Sequence, residues 1–297
     1  MDFGKVSNPG SVDFTLPKDD PHTKEILEKK GNNKPLEASV GCAKWNRTDL
    51  KGFFPRGTKD ELAYYSTQFN SIELNATFYS MPNWKQIATW KEKTPAGFHF
   101  FPKLTNTISH YKRLIDVKQP VEDFCNAISN FEEKLGMVFL QLKDDFKPKD
   151  FDRFETFIQQ FPKGIPLGVE VRNEQWFSDK DLFNKYCDLL HSHHITNIIV
   201  DTAGRRDMLH MRLTSPVAFI RYVGANHKTD TERLDDWITR IKKWQKEGLQ
   251  KLYFFVHQNM ELSSPLLAAH FITELNKACG LSLHVPGKAE EGKGLFD

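Results

Sequence analysis

The sequence predicts an α/β fold of the TIM type, one (β/α)8 barrel carrying an N-terminal arm. Eight short apolar runs of strand length alternate with segments of helical spacing, which favours a closed barrel over an open doubly wound sheet. In strand after strand the polar residue falls at the end of the apolar run, where a barrel builds its site. The 297 residues hold no internal linker and no short repeat, and a barrel of roughly 200–250 residues or more is one unit.

Residues 1–37 are rich in proline and glycine (Pro9, Gly10, Pro17, Pro21, Gly31, Pro35), with Pro21–Lys30 as a short helix, and are expected to wrap as an arm. The barrel is expected over 38–280. Ser39–Cys42 is its first strand. Thr58 is the expected N-cap of a helix reaching Phe69, with Glu61 three residues on. Ser71–Tyr79 is the central strand, in which Ile72 and Leu74 alternate with Glu73 and Asn75. Then follow a helix over Trp84–Lys91, a strand over Gly97–Lys103, a polar loop with Ser109 and His110, a helix over Val121–Leu135, and a strand over Met137–Leu142. Asp150–Gln160 is a helix, Leu167–Arg172 the fifth strand, Lys180–His191 a helix and Asn197–Asp201 the sixth strand. After an atypical stretch at Gly204–Arg206 come a strand (Val217–Val223), a helix (Leu234–Lys246), a strand (Leu252–Val256) and a helix (Pro265–Ala278). The tail, 281–297, is expected to be a mobile surface end.

Composition excludes several classes. Forty-one basic and 39 acidic residues leave a formal charge of +2, with no general attraction for nucleic acid or anionic membrane. Cys42, Cys125, Cys187 and Cys279 are far apart and form neither a zinc spacing nor a disulfide framework, so free thiols in a reducing compartment are expected. There is no signal-peptide core and no apolar run long enough to cross a membrane, which places the chain in the cytoplasm. No glycine-rich nucleotide fingerprint follows a strand.

The strand-end residues are Glu73 and Asn75, Lys103, Gln141, Glu170 and Arg172, Asp201, Arg221, then Gln258 and Asn259. Period-two alternation turns Val169 and Val171 to the helices and Glu170 and Arg172 inward, just as Ile72 and Leu74 flank an inward Glu73. Glu73 and Glu170 are the candidate catalytic carboxylates, an acid/base or nucleophile/acid pair, with His110 as a proton shuttle. Lys103, Arg172 and Arg221 suit an anionic group on a small ligand. Asn75, Tyr79, Trp176, Asp201 and Asn259 complete the expected substrate-binding set, with Trp45, Phe78 and Trp84 as further loop aromatics. The competing structural reading is a buried network in which the ions merely neutralise one another. No cofactor is expected. Asp201, Glu73, Glu170 and a His have the donor types of a divalent-metal site, but no i, i+4 His pair or dense carboxylate cluster supports one. His191–His194 and the Lys242–Lys246 run read as a polar turn and a solvated helix face.

Five segments together resemble the DUF72, or YecE-like, family. These are Val40-Gly41-Cys42 with Trp45 and Phe54-Pro55; Glu73-Leu74-Asn75-Ala76-Thr77-Phe78-Tyr79; Lys103 with Ser109-His110; Glu170-Val171-Arg172 with Trp176; and Phe219-Ile220-Arg221-Tyr222. The resemblance implies a TIM-barrel fold and assigns no activity. This chain departs from the family pattern by Asn173 and Val223 where histidines are common, and by His257-Gln258-Asn259 where a final Asn-Asn pair is usual. The expectation is therefore a hydrolase or lyase acting on a small anionic or sugar-like substrate. The alternatives are a non-catalytic ligand-binding or regulatory barrel and, against the charge balance, a nucleic-acid-processing barrel using Arg205, Arg206 and Arg212.

Overall fold

The computed structural model describes residues 3–28 and 35–287. Among these, eight strands run parallel wherever they pair: β1 (Glu37–Cys42), β2 (Ser71–Leu74), β3 (His99–Pro102), β4 (Val138–Gln141), β5 (Leu167–Glu170), β6 (Thr196–Asp201), β7 (Val217–Gly224) and β8 (Lys251–Gln258). Six form a curled sheet in the order β1-β8-β7-β6-β5-β4, and β2 and β3 form a two-stranded sheet. The architecture is a TIM-like α/β fold.

Hydrogen bonds run between the two sheets at two places. Between β3 and β4, Gly136 N donates to Phe100 O and Leu104 N to Phe139 O, both at 2.9 Å. Between β1 and β2, side chains supply the bonds that a ladder would. Asn70 Oδ1 accepts from Val40 N at 2.9 Å while its Nδ2 donates to Ala38 O at 2.8 Å. The buried Tyr65 hydroxyl accepts from Cys42 N at 2.7 Å and donates to Ser71 O at 3.0 Å. Here β1 and β2 come so close that a Cβ on Gly41 would lie 2.1 Å from Ser71 O, which explains the glycine.

Alternation sorts the side chains into two apolar layers. Phe101, Phe139, Phe219, Tyr253 and Phe255 pack together on the inner face of the strands, with edge-to-face ring contacts such as Phe101–Tyr253 at 4.7 Å. Ile72, Leu74, Val169, Val171, Ile199 and Phe254 pack on the other side, against the helices. The helices are α1 (Pro21–Glu28), α2 (Glu61–Gln68), α3 (Ala76–Tyr79), α4 (Trp84–Glu92), α5 (Lys118–Ile128), α6 (Phe151–Gln160), α7 (Gln175–Ser178), α8 (Lys180–Ser192), α9 (Thr229–Glu247) and α10 (Ser264–Cys279).

Several boundaries differ from expectation for local reasons. The central strand stops at Leu74 rather than Tyr79, because Thr77 Oγ1 donates to Leu74 O and Lys103 O and folds Asn75–Tyr79 into one helical turn. Asp60, not Thr58, caps α2, accepting from Ala63 N. The helix expected over Val121–Leu135 ends at Ile128 and continues as tighter 3-10 turns over Ser129–Lys134, where Glu132 takes a positive φ of 52°. The arm is pinned rather than loose. Thr23 Oγ1 donates to Met211 O and accepts from Leu213 N, and Arg240 Nη1 donates to Asp19 at 2.6 Å. The short arm helix is described over Pro21–Glu28, and Lys29 and Lys30 lie outside the described residues. Of the tail expected to be mobile, Leu283 is held by both groups of the Asn276 amide, and 288–297 lie outside the described residues. Among the described residues, no helix is long and apolar enough to cross a membrane.

Tyr65→Phe removes a hydroxyl that bonds both β1 and β2 and leaves the buried Cys42 N–H unpaired. Its expected cost is about 1–3 kcal/mol in equilibrium urea unfolding, and a loss within error of zero would show that the β1–β2 seam does not depend on this hydroxyl.

Candidate functional site at the carboxyl ends of the strands

Above the inner phenylalanine layer lies a layer of ionic and polar side chains, one residue farther along each inward-facing row. Glu73 (β2), Lys103 (just past β3), Gln141 (β4), Glu170 (β5), Arg221 (β7) and His257 (β8) are all nearly or fully buried. Arg221 holds both glutamates. Its Nε and Nη2 donate to Glu73 Oε2 and Oε1, each at 2.8 Å, while Nη1 donates to Glu170 Oε2 at 2.5 Å. Glu73 also accepts from Asn75 Nδ2 at 2.8 Å and pairs with His257 Nε2 at 2.9 Å. The second Glu170 oxygen accepts from Arg172 Nε at 2.6 Å. The Gln141 amide oxygen serves three cations, Arg172 Nη2 at 2.7 Å, Lys103 Nζ at 2.9 Å and Arg221 Nη1 at 3.4 Å.

Burial alone would raise both carboxyl pKa values. The arginines outweigh it: Arg221, with His257, holds Glu73 well below the usual carboxylate range, and Arg221 with Arg172 holds Glu170 at about 2. Both glutamates are therefore ionised at neutral pH, with their oxygens already engaged, and neither presents a free face to a metal ion. Lys103 is in the reverse position. Two arginines balance two glutamates, so its ammonium would be a third cation, and among the described residues no carboxylate oxygen lies within 4.0 Å of its Nζ. Burial first, then the fields of Arg221 and Arg172, lower its pKa to about 7. The Phe78 ring lies 4.1 Å from the Nζ.

A pocket of about 520 Å³ opens over one side of this layer, at the ends of β1, β2, β3 and β8. Lys103 and His257 line it with Asn75, Tyr79 and Asn259, and Lys44, Lys51, Asp49 and Glu261 stand among the remaining lining residues. Two buried polar atoms of this lining, His257 Nδ1 and Asn259 Oδ1, have no hydrogen-bond partner. His257 lies between two carboxylates, with Nε2 at 2.9 Å from Glu73 Oε2 and Nδ1 at 4.0 Å from Glu261 Oε1. On the other side, the arm crosses the strand ends. The Phe3 ring lies 3.8 Å from the Arg172 guanidinium and packs against the inner apolar layer, and Gly4 O accepts from Gly204 N.

The expected residues thus divide. Glu73, Asn75, Lys103, Glu170, Arg172 and Arg221 form one network, and Tyr79 and Asn259 reach the pocket beside it. Three others sit elsewhere. Asp201 was expected at the site, but alternation turns Val200 inward and Asp201 outward, to Arg233 Nη2 and Trp237 Nε1, each at 2.8 Å. Trp176 is folded back into the helix layer, donating from Nε1 to Phe146 O at 2.9 Å, and offers no ring to a ligand. His110 bonds Ser109 Oγ at 2.8 Å and packs edge-on to Phe78. Burial and the nearby Lys103 hold it at about 4, so it is neutral at physiological pH, and the Phe78 ring packs against both it and the Lys103 amine. Trp45 packs edge-on to Trp90. The arginines considered for nucleic acid are engaged within the chain, Arg205 by Asp207, Arg206 by Asp201 and Arg212 by Asp20. His257 was not among the expected site residues. The signal was present in β8, where Tyr253, Phe255 and His257 share the inward parity and Gln258 turns out to Asp230.

Fold and site together define a TIM-like α/β protein with an arginine-centred ionic layer and a lysine- and histidine-lined pocket at its strand ends. The chain belongs to the family described as protein of unknown function DUF72, whose model matches residues 39–290. It is 27% identical over 235 residues to the UPF0759 protein YecE of Escherichia coli K12, covering 73% of this chain and 86% of that protein. With the UPF0759 protein YunF of Bacillus subtilis 168 it shares 27% identity over 148 residues, 47% of this chain and 52% of the relative. The crystal structure of a DUF72 family protein from Enterococcus faecalis V583 superposes with a TM-score of 0.64 at 17% identity, over 85% of this chain and 100% of that one.

Arg221→Met leaves two buried carboxylates without their shared cation, and the expected loss is roughly 3–5 kcal/mol in urea unfolding. The pH dependence has a definite sign. Glu170 is depressed from its ordinary 4.5 to about 2, so its contribution is complete above about pH 4.5 and is lost as pH falls toward 2. An acid-unfolding curve should be shallower for Glu170→Gln than for the parent protein over that window, and identical slopes would contradict the assigned ionisation.

Proposed function

We propose that this chain is an enzyme of the lyase or hydrolase type that acts on a small anionic or sugar-like substrate in the pocket at the ends of β1, β2, β3 and β8. The observation that carries the reading is buried Lys103, whose amine has no carboxylate within 4.0 Å among the described residues, in the lining of a pocket it shares with two buried polar atoms that make no hydrogen bond, His257 Nδ1 and Asn259 Oδ1. A buried cation in surplus favours a ligand that brings a negative charge. In this reading Glu73 and Glu170 act as fixed charges. Glu73 orients His257 and both position Arg221, while Lys103 and His257 meet the substrate. His110 and Arg172 act from behind Phe78 and Gln141. No cofactor is required by the reading.

The same proposal takes the strands as a closed (β/α)8 barrel spanning 38–280, supported by the β3–β4 bridges and by the Tyr65 and Asn70 bonds between β1 and β2. Four buried free thiols support a reducing, cytoplasmic setting. A non-catalytic ligand-binding barrel is the second reading, favoured by the locking of both glutamates in one arginine clamp.

Anion binding would draw a proton onto Lys103, so affinity should be greater below pH 7 and fall as pH rises through it. Thermal shifts with inorganic phosphate, pyruvate and glucose 6-phosphate at pH 6 and pH 8.5 check this. Stabilisation by at least one of them, larger at pH 6 and lost in Lys103→Met, supports the anionic site, and no shift from any of the three refutes it. Turnover of a ligand so identified separates the enzyme from the binding protein.

A further inference from the structure

We propose that Lys103 is a nucleophilic lysine that condenses with the carbonyl carbon of a small oxo acid held in this pocket. The inference rests on the anionic-site reading and specifies its substrate class. Three features of the geometry lead to it. Lys103 is buried and is one of the residues that line a pocket of about 520 Å³. Among the described residues its one side-chain hydrogen-bond partner is a neutral acceptor, Gln141 Oε1 at 2.9 Å, while the nearby carboxylates, which favour the ammonium, are themselves held by arginines. The two arginine guanidinium groups that share Gln141 Oε1 add like charge beside it. Desolvation and neighbouring cations are the two devices that keep a lysine amine neutral and nucleophilic near pH 7. Its lowered pKa agrees with both.

The step balances within the pocket. The nitrogen lone pair forms a C–N bond at the carbonyl carbon, and the carbonyl oxygen takes up one N–H proton to give a carbinolamine. Loss of that hydroxyl with the second N–H proton releases one water and leaves a neutral imine. His257, which Glu73 positions in the same pocket lining, is the group the proposal assigns to proton movement in these steps, and the acid group of the ligand answers the positive charge of the neighbouring arginines. Protonated at nitrogen, the imine withdraws electrons from the adjacent carbon, which is the chemistry a lyase uses to break or make a bond there.

The test uses glyoxylate as the probe and sodium cyanoborohydride as the reductant at pH 7 on the full chain, with the adduct located by peptide mass spectrometry. An ordinary lysine is neutral to roughly one part in 2,500 at this pH, so Lys103 should be carboxymethylated at least about tenfold faster than the exposed Lys85 and Lys112. Lys103→Met should lose the fast adduct while keeping the circular dichroism spectrum of the parent. Labelling of Lys103 no faster than Lys85 overturns the proposal. If glyoxylate or phosphate still gives a thermal shift that Lys103→Met abolishes, only the covalent step has failed. If neither anion shifts the melting temperature, the anionic-site reading has failed with it.

Discussion

One guanidinium group holds the centre of this protein. Arg221 reaches from β7 across the space enclosed by the strands to clamp Glu73 on β2 and Glu170 on β5, so three strands that are far apart in sequence are tied through a single side chain. None of the three ions could be buried alone, because desolvating a lone charge costs far more than one hydrogen bond returns. Together they are satisfied by geometry: a bidentate pair to Glu73, a third bond to Glu170, and Arg172, Asn75 and His257 on the oxygens' remaining lone pairs. The rest of the layer follows from that constraint. Gln141 is left to serve the surplus donors, and Lys103 is left without an anion.

That residual imbalance gives the layer its chemical character. A network of buried ions that cancelled completely would be a structural device and nothing more. Here two glutamates are matched by two arginines, and a lysine stands beside them on the wall of a pocket. The same electrostatics that fix the glutamates as carboxylates push the lysine toward its neutral form. In the proposed reading the glutamates position Arg221 and His257, and Lys103 and His257 meet the ligand.

The arm adds asymmetry to the strand ends. Phe3 lies on Arg172, with Gly4 bonded to the loop after β6, and this covers the β5–β6 side while the β1, β2, β3 and β8 side stays open. A cavity of about 570 Å³ at the opposite end of the strands, near Phe161–Leu167 and Ser192–Ile195, is mostly apolar and meets none of the ionic layer. The ends of the strands therefore differ in chemistry as well as in direction.

The sequence by itself determined the order and type of the elements, the parity of Glu73 and Glu170, and the assembly of Lys103, Arg172 and Arg221 at strand ends. All of these follow from period-two alternation and from polar residues ending apolar runs, which are local patterns. Local patterning also left traces that were harder to read, such as the inward row Tyr253, Phe255 and His257. The tertiary structure decided what no local pattern contains: that Arg221 spans both glutamates, that Asp201 belongs to Arg233 and Trp237, and that Trp176 turns back into the helix layer. Whether a carboxylate serves as an acid, a base or a counterion depends on which cation lies within about 3 Å of it, and that distance exists only once residues 73, 170 and 221 have been brought together by folding.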